Sequence, residues 1–233
     1  MQDFDIVGST GDDTIIGSNG GDILRGGFGR DTISAGDGDD VVEFRSQASI
    51  EDGETVDGGA GFDQLLVVWS LNLEGLVVTN VEQLVVVEGE EVTLTATQFA
   101  AFERIAERDD GSMSLRAATA GTYDLADKVV TTEPFRFTGS AGDEVIVARA
   151  GVNSIDGAGG DDTVSYAAAA AGVTVDLGVT TRQDTGGGGR DTLANIENVI
   201  GSAFADELTG DDGANSLEGG DGDDVLRGGG GND

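Results

Sequence analysis

The sequence predicts an all-β protein, a right-handed parallel β-roll or β-helix solenoid with one short helix in a strand-rich middle segment. Three observations lead to this prediction: a nine-residue period, a glycine-rich turn in each period, and only three strand-forming residues after each turn. Strands of three residues are too short to form ordinary hairpin sheets. They can be stable only if successive coils stack on one another.

The repeat is defined by three of its nine positions. Position eight is always aliphatic in the twelve complete units that we align, and position four is glycine in every unit except the one that contains Phe204. Position six is aspartate in nine units, and its exceptions also carry side-chain oxygen: Glu144, Asn153 and Asn215. The units run consecutively from Gly8, Gly139 and Gly201, and single units begin at Gly58 and Gly186.

Two units make one coil of a flattened solenoid, so residues eighteen apart should stack at a spacing of about 4.8 Å. Ile15 should then lie beside Ile33, and Leu24 beside Val42, with position eight pointing into a thin, continuous core.

The same arithmetic stacks acidic side chains along both edges. Asp13 should lie next to Asp31 on one edge and Asp22 next to Asp40 on the other. Two carboxylates ~5 Å apart repel each other by roughly 3 kcal/mol even at an effective dielectric constant near 20. A divalent cation between the turns would turn this repulsion into attraction.

The turn chemistry favours calcium. Glycines at positions two and four allow backbone carbonyl groups to point into the turn, and together with the aspartates they supply only hard oxygen ligands. Magnesium prefers a tighter octahedron and keeps its water, and an EF-hand would need a helix on each side of the loop. Strand residues flank these turns instead.

The pattern resembles the nonapeptide of the RTX, or hemolysin-type calcium-binding, repeat family. This resemblance implies a module that binds several Ca²⁺ ions, leaves the cell by type I secretion through an uncleaved C-terminal signal, and folds outside it. The protein is then expected to be secreted, extracellular or on the cell surface. Residues 166–200 resemble segments that join repeat blocks in this family.

The expected metal ligands follow from the repeat positions. The position-six candidates are Asp13, Asp22, Asp31, Asp40, Asp63, Asp162, Asp191, Asp206, Asp224, Asp233, Glu144, Asn153 and Asn215. The position-five candidates, which are weaker, are Asp12, Asp39, Asp143, Asp161 and Asp223. The turn glycines are Gly11, Gly20, Gly29, Gly38, Gly160 and Gly222.

Three of these sites depart from the pattern. Asp63 and Asp191 belong to single units that have no partner unit eighteen residues away, so their role as ligands stays open. Phe204 replaces the turn glycine in the unit of Asp206, which puts that site in doubt as well.

Composition excludes several functions. The chain of 233 residues has 45 Asp+Glu against 12 Lys+Arg, a formal charge of −33, so nucleic acids and anionic membrane surfaces are not expected partners. It has no histidine and no cysteine, which excludes a Ser-His-Asp triad, a thiol nucleophile and a His/Cys zinc site. We therefore expect no enzyme. No signal-like or membrane-spanning run occurs in the sequence, so no membrane insertion is expected.

The chain divides by texture into three parts: a repeat block at residues 1–66, a strand-rich insert at 67–138, and further repeat blocks at 139–233. The insert should continue or cap the solenoid, and a separate small domain is the alternative. Within it, residues 65–69, 84–87, 91–95 and 135–137 are predicted strands. Residues 97–108 are predicted as one helix with Thr97 as a possible N-cap.

Two roles remain open. The chain is either the calcium-dependent folding module of a larger secreted protein or a structural cell-surface segment, as in a surface layer or adhesin, whose calcium sites serve stiffness and assembly. Its partners would be calcium ions, with the rest of a longer parent chain or neighbouring surface proteins. The last unit stops at Asp233, so we expect a longer parent or a secretion signal elsewhere.

Overall fold

The computed structural model describes residues 2–47, 50–87, 91–108, 113–130 and 135–233. The chain forms two compact units: unit 1 comprises Met1–Leu115 and Val130–Thr132, and unit 2 comprises Arg116–Val129 and Glu133–Asp233. Each unit is built from parallel strands with short connecting turns, so the predicted class, a parallel β-solenoid with almost no helix, is confirmed.

Unit 1 contains two main stacks of parallel strands and one additional pair. The first stack has the order β1 (Asp5–Val7), β3 (Ile23–Arg25), β5 (Val41–Phe44), β7 (Gln64–Val67), β10 (Gln83–Val86) and β12 (Arg104–Glu107). The second has the order β2 (Thr14–Ile16), β4 (Thr32–Asp37), β6 (Thr55–Ala60) and β9 (Val77–Thr79). β8 (Leu71–Asn72) pairs in parallel with β11 (Glu91–Leu94).

Unit 2 contains three stacks. The longest has the order β14 (Gly121–Asp124), β17 (Glu144–Val147), β19 (Thr163–Ser165), β23 (Asn198–Ile200) and β25 (Ser216–Glu218). Another consists of β20 (Thr174–Asp176), β24 (Glu207–Thr209) and β26 (Val225–Arg227). The third consists of β16 (Phe135–Thr138), β18 (Gly151–Asp156) and β22 (Gly189–Ala194), and β21 (Gln183–Gly186) pairs with β22 in antiparallel orientation. Two further strands are β13 (Ser114–Ala117) and β15 (Val129–Val130).

The predicted register is confirmed. Ile15 pairs with Ile33 across β2 and β4, and Leu24 pairs with Val42 across β3 and β5. Position-eight residues form the core because the strand alternates its side chains between the two faces of the sheet. The exceptions are Leu226, with 46% of its surface exposed, and the half-buried Leu217, because β26 and β25 each end a stack and have no following strand.

The helix predicted over residues 97–108 is wrong in its extent. α1 spans only Ala96–Ala101, and its N-cap is Thr95, whose hydroxyl accepts the Gln98 N–H in a capping box. Residues Arg104–Glu107 form β12, in which Ile105 pairs with Leu84. The apolar residues here have a helical spacing, but a strand is formed instead because it buries Ile105 in the solenoid core. A second short helix, α2, spans Leu125–Lys128, and among the described residues no helix is long and apolar enough to cross a membrane.

A pair of glycines at position four tests how tightly the coils stack. Gly29 has φ +105°, and a Cβ there would lie 2.6 Å from the carbonyl carbon of Gly11. We expect Gly29→Ala to destabilise the folded protein by about 1–3 kcal/mol through backbone strain and this overlap. Gly11→Ala is the matched control, since nothing lies within 4 Å of its Cβ position. Urea unfolding of both variants in calcium measures the difference, and equal losses would contradict the stacking argument.

Candidate metal centre

Most position-six residues lie immediately before a strand, Glu144 begins β17, and Asn153 and Asp191 lie within β18 and β22. The parallel register brings them into rows along the edges of the solenoid. The rows run Asp13 and Asp31; Asp22, Asp40 and Asp63; Glu144 and Asp162; Asn153 and Asp191; Asp206 and Asp224; Asn215 and Asp233. The structure therefore places each position-six candidate beside another one. Whether they bind metal stays a prediction.

In each row, one carboxylate oxygen of the following member accepts the backbone N–H of the member before it and so ties two coils together. Oδ1 of Asp31 accepts the backbone N–H of Asp13 at 2.9 Å, and Oδ1 of Asp40 accepts that of Asp22 at 2.7 Å. The contact recurs where Asp162 accepts the N–H of Glu144 at 2.8 Å. These hydrogen bonds cross-link the coils outside the strand ladder.

The two single units also join the rows. Asp63 accepts the N–H of Asp40 at 2.8 Å, although 23 residues separate them, and Asp191 accepts the N–H of Asn153 at 3.1 Å across 38 residues. The extra residues leave the pairing of strands unchanged. Sequence spacing alone therefore underestimated the neighbours of these two residues.

The second carboxylate oxygen distinguishes two kinds of turn. In the first kind, which we call closed turns, the position-two N–H donates to it: Ser9 to Asp13 at 2.6 Å and Ser18 to Asp22 at 2.6 Å. Ser202 donates likewise to Asp206 at 2.7 Å. The position-six side chain of a closed turn is therefore held by its own loop. The remaining closed turns pair Ser140 with Glu144 and Asp211 with Asn215.

In the second kind, open turns, position two has a positive φ and makes no such bond. Its residues are Gly27, Gly36, Gly59 and Ala158, with φ of 114°, 115°, 97° and 71°. The matching carboxylate oxygens are buried and have no hydrogen-bond partner among the residues that the structure describes: Oδ2 of Asp31, Asp40, Asp63 and Asp162. A buried polar atom without a partner is costly, so these four oxygens point to a missing ligand. Gly220 and Gly229, before Asp224 and Asp233, also have positive φ.

The position-five acids lie on the outside of the turns. Asp12 accepts the N–H of Arg30 at 3.0 Å, and Asp39 accepts that of Phe62 at 2.9 Å. Asp143 accepts the N–H of Asp161 at 2.9 Å, and these side chains are exposed. Their oxygens thus brace neighbouring coils from the solvent side. No such contact is seen for Asp223.

The electrostatics change along one row. Burial acts to raise the pKa of Asp22, but hydrogen bonds from Ser18 and Phe4 outweigh it and leave the pKa lowered. Burial raises the pKa of Asp40, helped by the charges of Asp22 and Asp39. Burial raises the pKa of Asp63 to about 6, and the charges of Asp40 and Glu82 add to it. Without a cation, negative charge on the carboxylates thus becomes harder to hold along the row from Asp22 to Asp63.

Asp191 differs from the other row members because protein donors satisfy both of its oxygens. Oδ1 accepts two bonds from Asn153, from its backbone N–H and from Nδ2 at 2.8 Å, and Oδ2 accepts the hydroxyl groups of Tyr166 and Thr185, each at 2.9 Å. Asp191, Tyr166 and Thr185 are all buried. In this arrangement no lone pair of Asp191 is left for a metal ion.

Three acidic residues that the repeat pattern did not identify also occupy position six. Glu54 immediately precedes β6, and Glu82 immediately precedes β10. The Glu82 carboxylate accepts the N–H of Asp63 at 2.7 Å, and the Glu197 carboxylate accepts that of Asp162 at 2.8 Å. Each has an aliphatic residue two positions later, as in the repeat, but lacks the turn glycines. An acid-x-aliphatic search without the glycine requirement would have found them.

These features define a class of protein: a parallel β-solenoid whose turns present rows of oxygen ligands for cations. Three segments, residues 7–42, 138–168 and 200–233, match the RTX calcium-binding nonapeptide repeat, in four copies. The chain therefore carries RTX calcium-binding repeats, and the resemblance inferred from its sequence is confirmed. A search of curated proteins found no match.

The residues present fit calcium. In the open turns a buried carboxylate oxygen lacks a partner, and the turns are rich in backbone carbonyl groups, so the available donors are hard oxygens. Among the residues that the structure describes, no three acidic side chains gather closely enough to hold a metal. Two carboxylates with backbone carbonyl groups form the donor set that these turns offer.

The buried acids make the metal-free protein sensitive to pH. Burial raises the pKa of Glu54 to about 8 and those of Asp63 and Asp162 to about 6, so the folded state binds protons more tightly than the unfolded chain. Stability from these groups is full below about pH 4 and is lost as the pH rises toward 8.

We therefore expect dialysed, calcium-free protein to gain β structure when the pH falls from 8 to 5, as measured by far-UV circular dichroism. Saturating calcium should abolish this gain because the cation replaces the protons. A calcium-free protein whose β content falls between pH 8 and pH 5 would contradict the assignment of these buried acids.

Proposed function

We propose that this chain is a calcium-binding β-roll module that folds when Ca²⁺ binds, within a larger secreted bacterial protein. The observation that carries the proposal is the set of buried carboxylate oxygens without partners in the open turns, at Asp31, Asp40, Asp63 and Asp162. The family match supports calcium as the ion.

The open turns would hold the ions, and the closed turns would begin the rows. The first turns of four rows, at Asp13, Asp22, Glu144 and Asp206, are all closed by a position-two serine. Such a turn satisfies its own carboxylate with donors from the protein, so it does not by itself demand a cation. When bound, calcium supplies positive charge between carboxylates on neighbouring coils.

Folding and binding are linked because the ligands come together only in the stacked state. Asp40 and Asp63 are distant in the unfolded chain but adjacent in the structure, so calcium binds the folded form far better than the unfolded one. With a formal charge of −33, the chain without cations repels itself and resists compaction. A chain that stays loose where calcium is scarce and folds where it is abundant suits export before folding. We propose no catalytic role.

Calcium-dependent folding can be tested directly. In chelator at pH 7.5 we expect a far-UV circular dichroism spectrum dominated by coil, and in millimolar calcium a β spectrum. Magnesium at the same concentration should leave the chain largely unfolded, since it gives up its water reluctantly. A complete β spectrum in excess chelator at pH 7.5 would disprove folding on calcium.

A substitution in one open turn separates ligands from general acidity. Asp40→Asn keeps the oxygen that accepts the Asp22 N–H and replaces the unpartnered one. We expect calorimetry to show at least a several-fold loss of calcium affinity, or one ion fewer, because an inner-shell oxygen is gone.

The matched control is Asp184→Asn, which removes the same charge from an exposed residue in β21, outside the open turns. An exposed charge contributes only a few tenths of a kcal/mol, so calcium affinity should barely change. Equal losses in the two variants would show that calcium is attracted by net charge and not held by the turns.

A further inference from the structure

Glu54 lies in a segment that lacks glycine at repeat positions two and four, outside the three segments that match the repeat. The strand register nevertheless gives it a repeat position. Thr55 pairs with Thr32, and the Thr55 N–H donates to the carbonyl oxygen of Asp31 at 3.0 Å. Glu54 therefore occupies position six on the coil that follows Asp31.

Both side chains are fully buried and incompletely satisfied. Asp31 and Glu54 each have 0% of their surface exposed, and neither Oδ2 of Asp31 nor Oε1 of Glu54 has a hydrogen-bond partner. The other oxygen of Glu54, Oε2, accepts only the Glu51 N–H at 3.2 Å within the described chain. Two unpartnered acidic oxygens thus lie on adjacent coils.

No basic side chain neutralises this pair in the part of the chain that the structure describes. The nearest basic residue along the chain, Arg30, is exposed and lies 3.9 Å from the carboxylate of Asp12. On the far side of Glu54 the next coil presents buried Leu76, and the Val77 N–H donates to the Glu54 carbonyl oxygen at 2.8 Å. The row of acids therefore ends at Glu54, and its acidic neighbour in the row is Asp31.

An acidic cleft of about 510 Å³ opens at Glu51, three residues before Glu54, and neither Asp31 nor Glu54 lines it. It is lined by Glu51, Asp52, Glu74, Asn72 and Gln47 among others, and Glu51 is the residue whose N–H contacts Glu54. Across the cleft, the backbone N–H of Asn72 donates to Oε1 of Gln47 at 2.5 Å, and Nε2 of Gln47 donates to the Asn72 carbonyl oxygen at 3.1 Å. A hydrated cation that entered this cleft would meet the negative charges of its acidic lining residues.

We propose that Asp31 and Glu54 form a further calcium site, which closes the row begun by Asp13 and lies beyond the recognisable repeats. The inference rests on the proposed function, because it assumes that the turns of this chain bind calcium. Carboxylate oxygens from two coils and backbone carbonyl groups are the hard donors that calcium accepts, and a flexible set of this kind suits it better than magnesium.

The test counts calcium ions by native mass spectrometry on the full chain and on Glu54→Gln. Glutamine keeps the shape but replaces one carboxylate oxygen with an amide NH₂ group and removes the negative charge. The variant should therefore carry one ion fewer, or bind that ion at least ten-fold more weakly. Glu103→Gln is the control, since Glu103 is exposed and the same charge is lost in the same unit.

The outcomes separate this inference from the proposed function. If the unaltered chain binds no calcium, the proposed function fails and the site with it. If the unaltered chain binds calcium and Glu54→Gln binds the same number with the same affinity, only the Asp31–Glu54 site is overturned, and Glu54 is a protonated structural residue.

Native mass spectrometry distinguishes compact from unfolded molecules, so the number of calcium ions bound per folded chain can be counted even if a variant lowers the folded fraction. Glu54→Asp is the second variant: it keeps the charge but withdraws the carboxylate by one methylene group. We expect weaker binding of one ion and an unchanged number at high calcium, and unchanged affinity would contradict the site.

Discussion

The structure depends on how it tolerates rows of like charges at the spacing of stacked strands. Parallel coils place the same repeat position above itself, so an aspartate at position six becomes a row of carboxylates. In the row of Asp22, Asp40 and Asp63 all three are buried, and burial removes the water that would otherwise screen them. The thin aliphatic core cannot by itself outweigh that repulsion. Protons or cations must supply the missing positive charge.

The backbone conformation at position two decides whether the carboxylate of each turn is satisfied by its own loop or is left without a donor. A serine in an ordinary conformation, such as Ser18, directs its N–H to the carboxylate of its own turn, whereas Gly36, at φ +115°, leaves the Asp40 oxygen without a partner. At Gly36 an added Cβ would meet the Ser18 carbonyl oxygen at 2.1 Å. Close stacking of the coils therefore requires glycine at this open turn, whereas Ala158 adopts a positive φ of 71° in its own open turn. The same backbone conformation leaves the buried Asp40 Oδ2 without a donor among the described residues.

Unit 2 shows a second solution, which uses the protein alone. Asn153, Tyr166 and Thr185 donate all the hydrogen bonds that Asp191 accepts, and the network is buried. Burial, with the Asp191 charge, raises the pKa of Tyr166 well above its usual value, so the hydroxyl stays a donor. One coil of the solenoid can thus hold its acid with neutral partners, while others depend on an external charge.

The sequence by itself determined the solenoid, its register at Ile15 with Ile33, and most members of the acidic rows. It could do so because a strict period of nine in a stacked fold converts spacing directly into neighbours. Only the tertiary structure decided the partners of Asp63 and Asp191, the ends of α1 and the place of Glu54. Insertions of variable length change the separation of stacked residues from eighteen, so spacing no longer predicts the neighbours of Asp63 and Asp191. A residue such as Glu54, whose unit lacks the repeat glycines, cannot be assigned to a repeat position from the local sequence. Burial against the neighbouring strand fixes such residues, and that contact joins positions far apart in the chain.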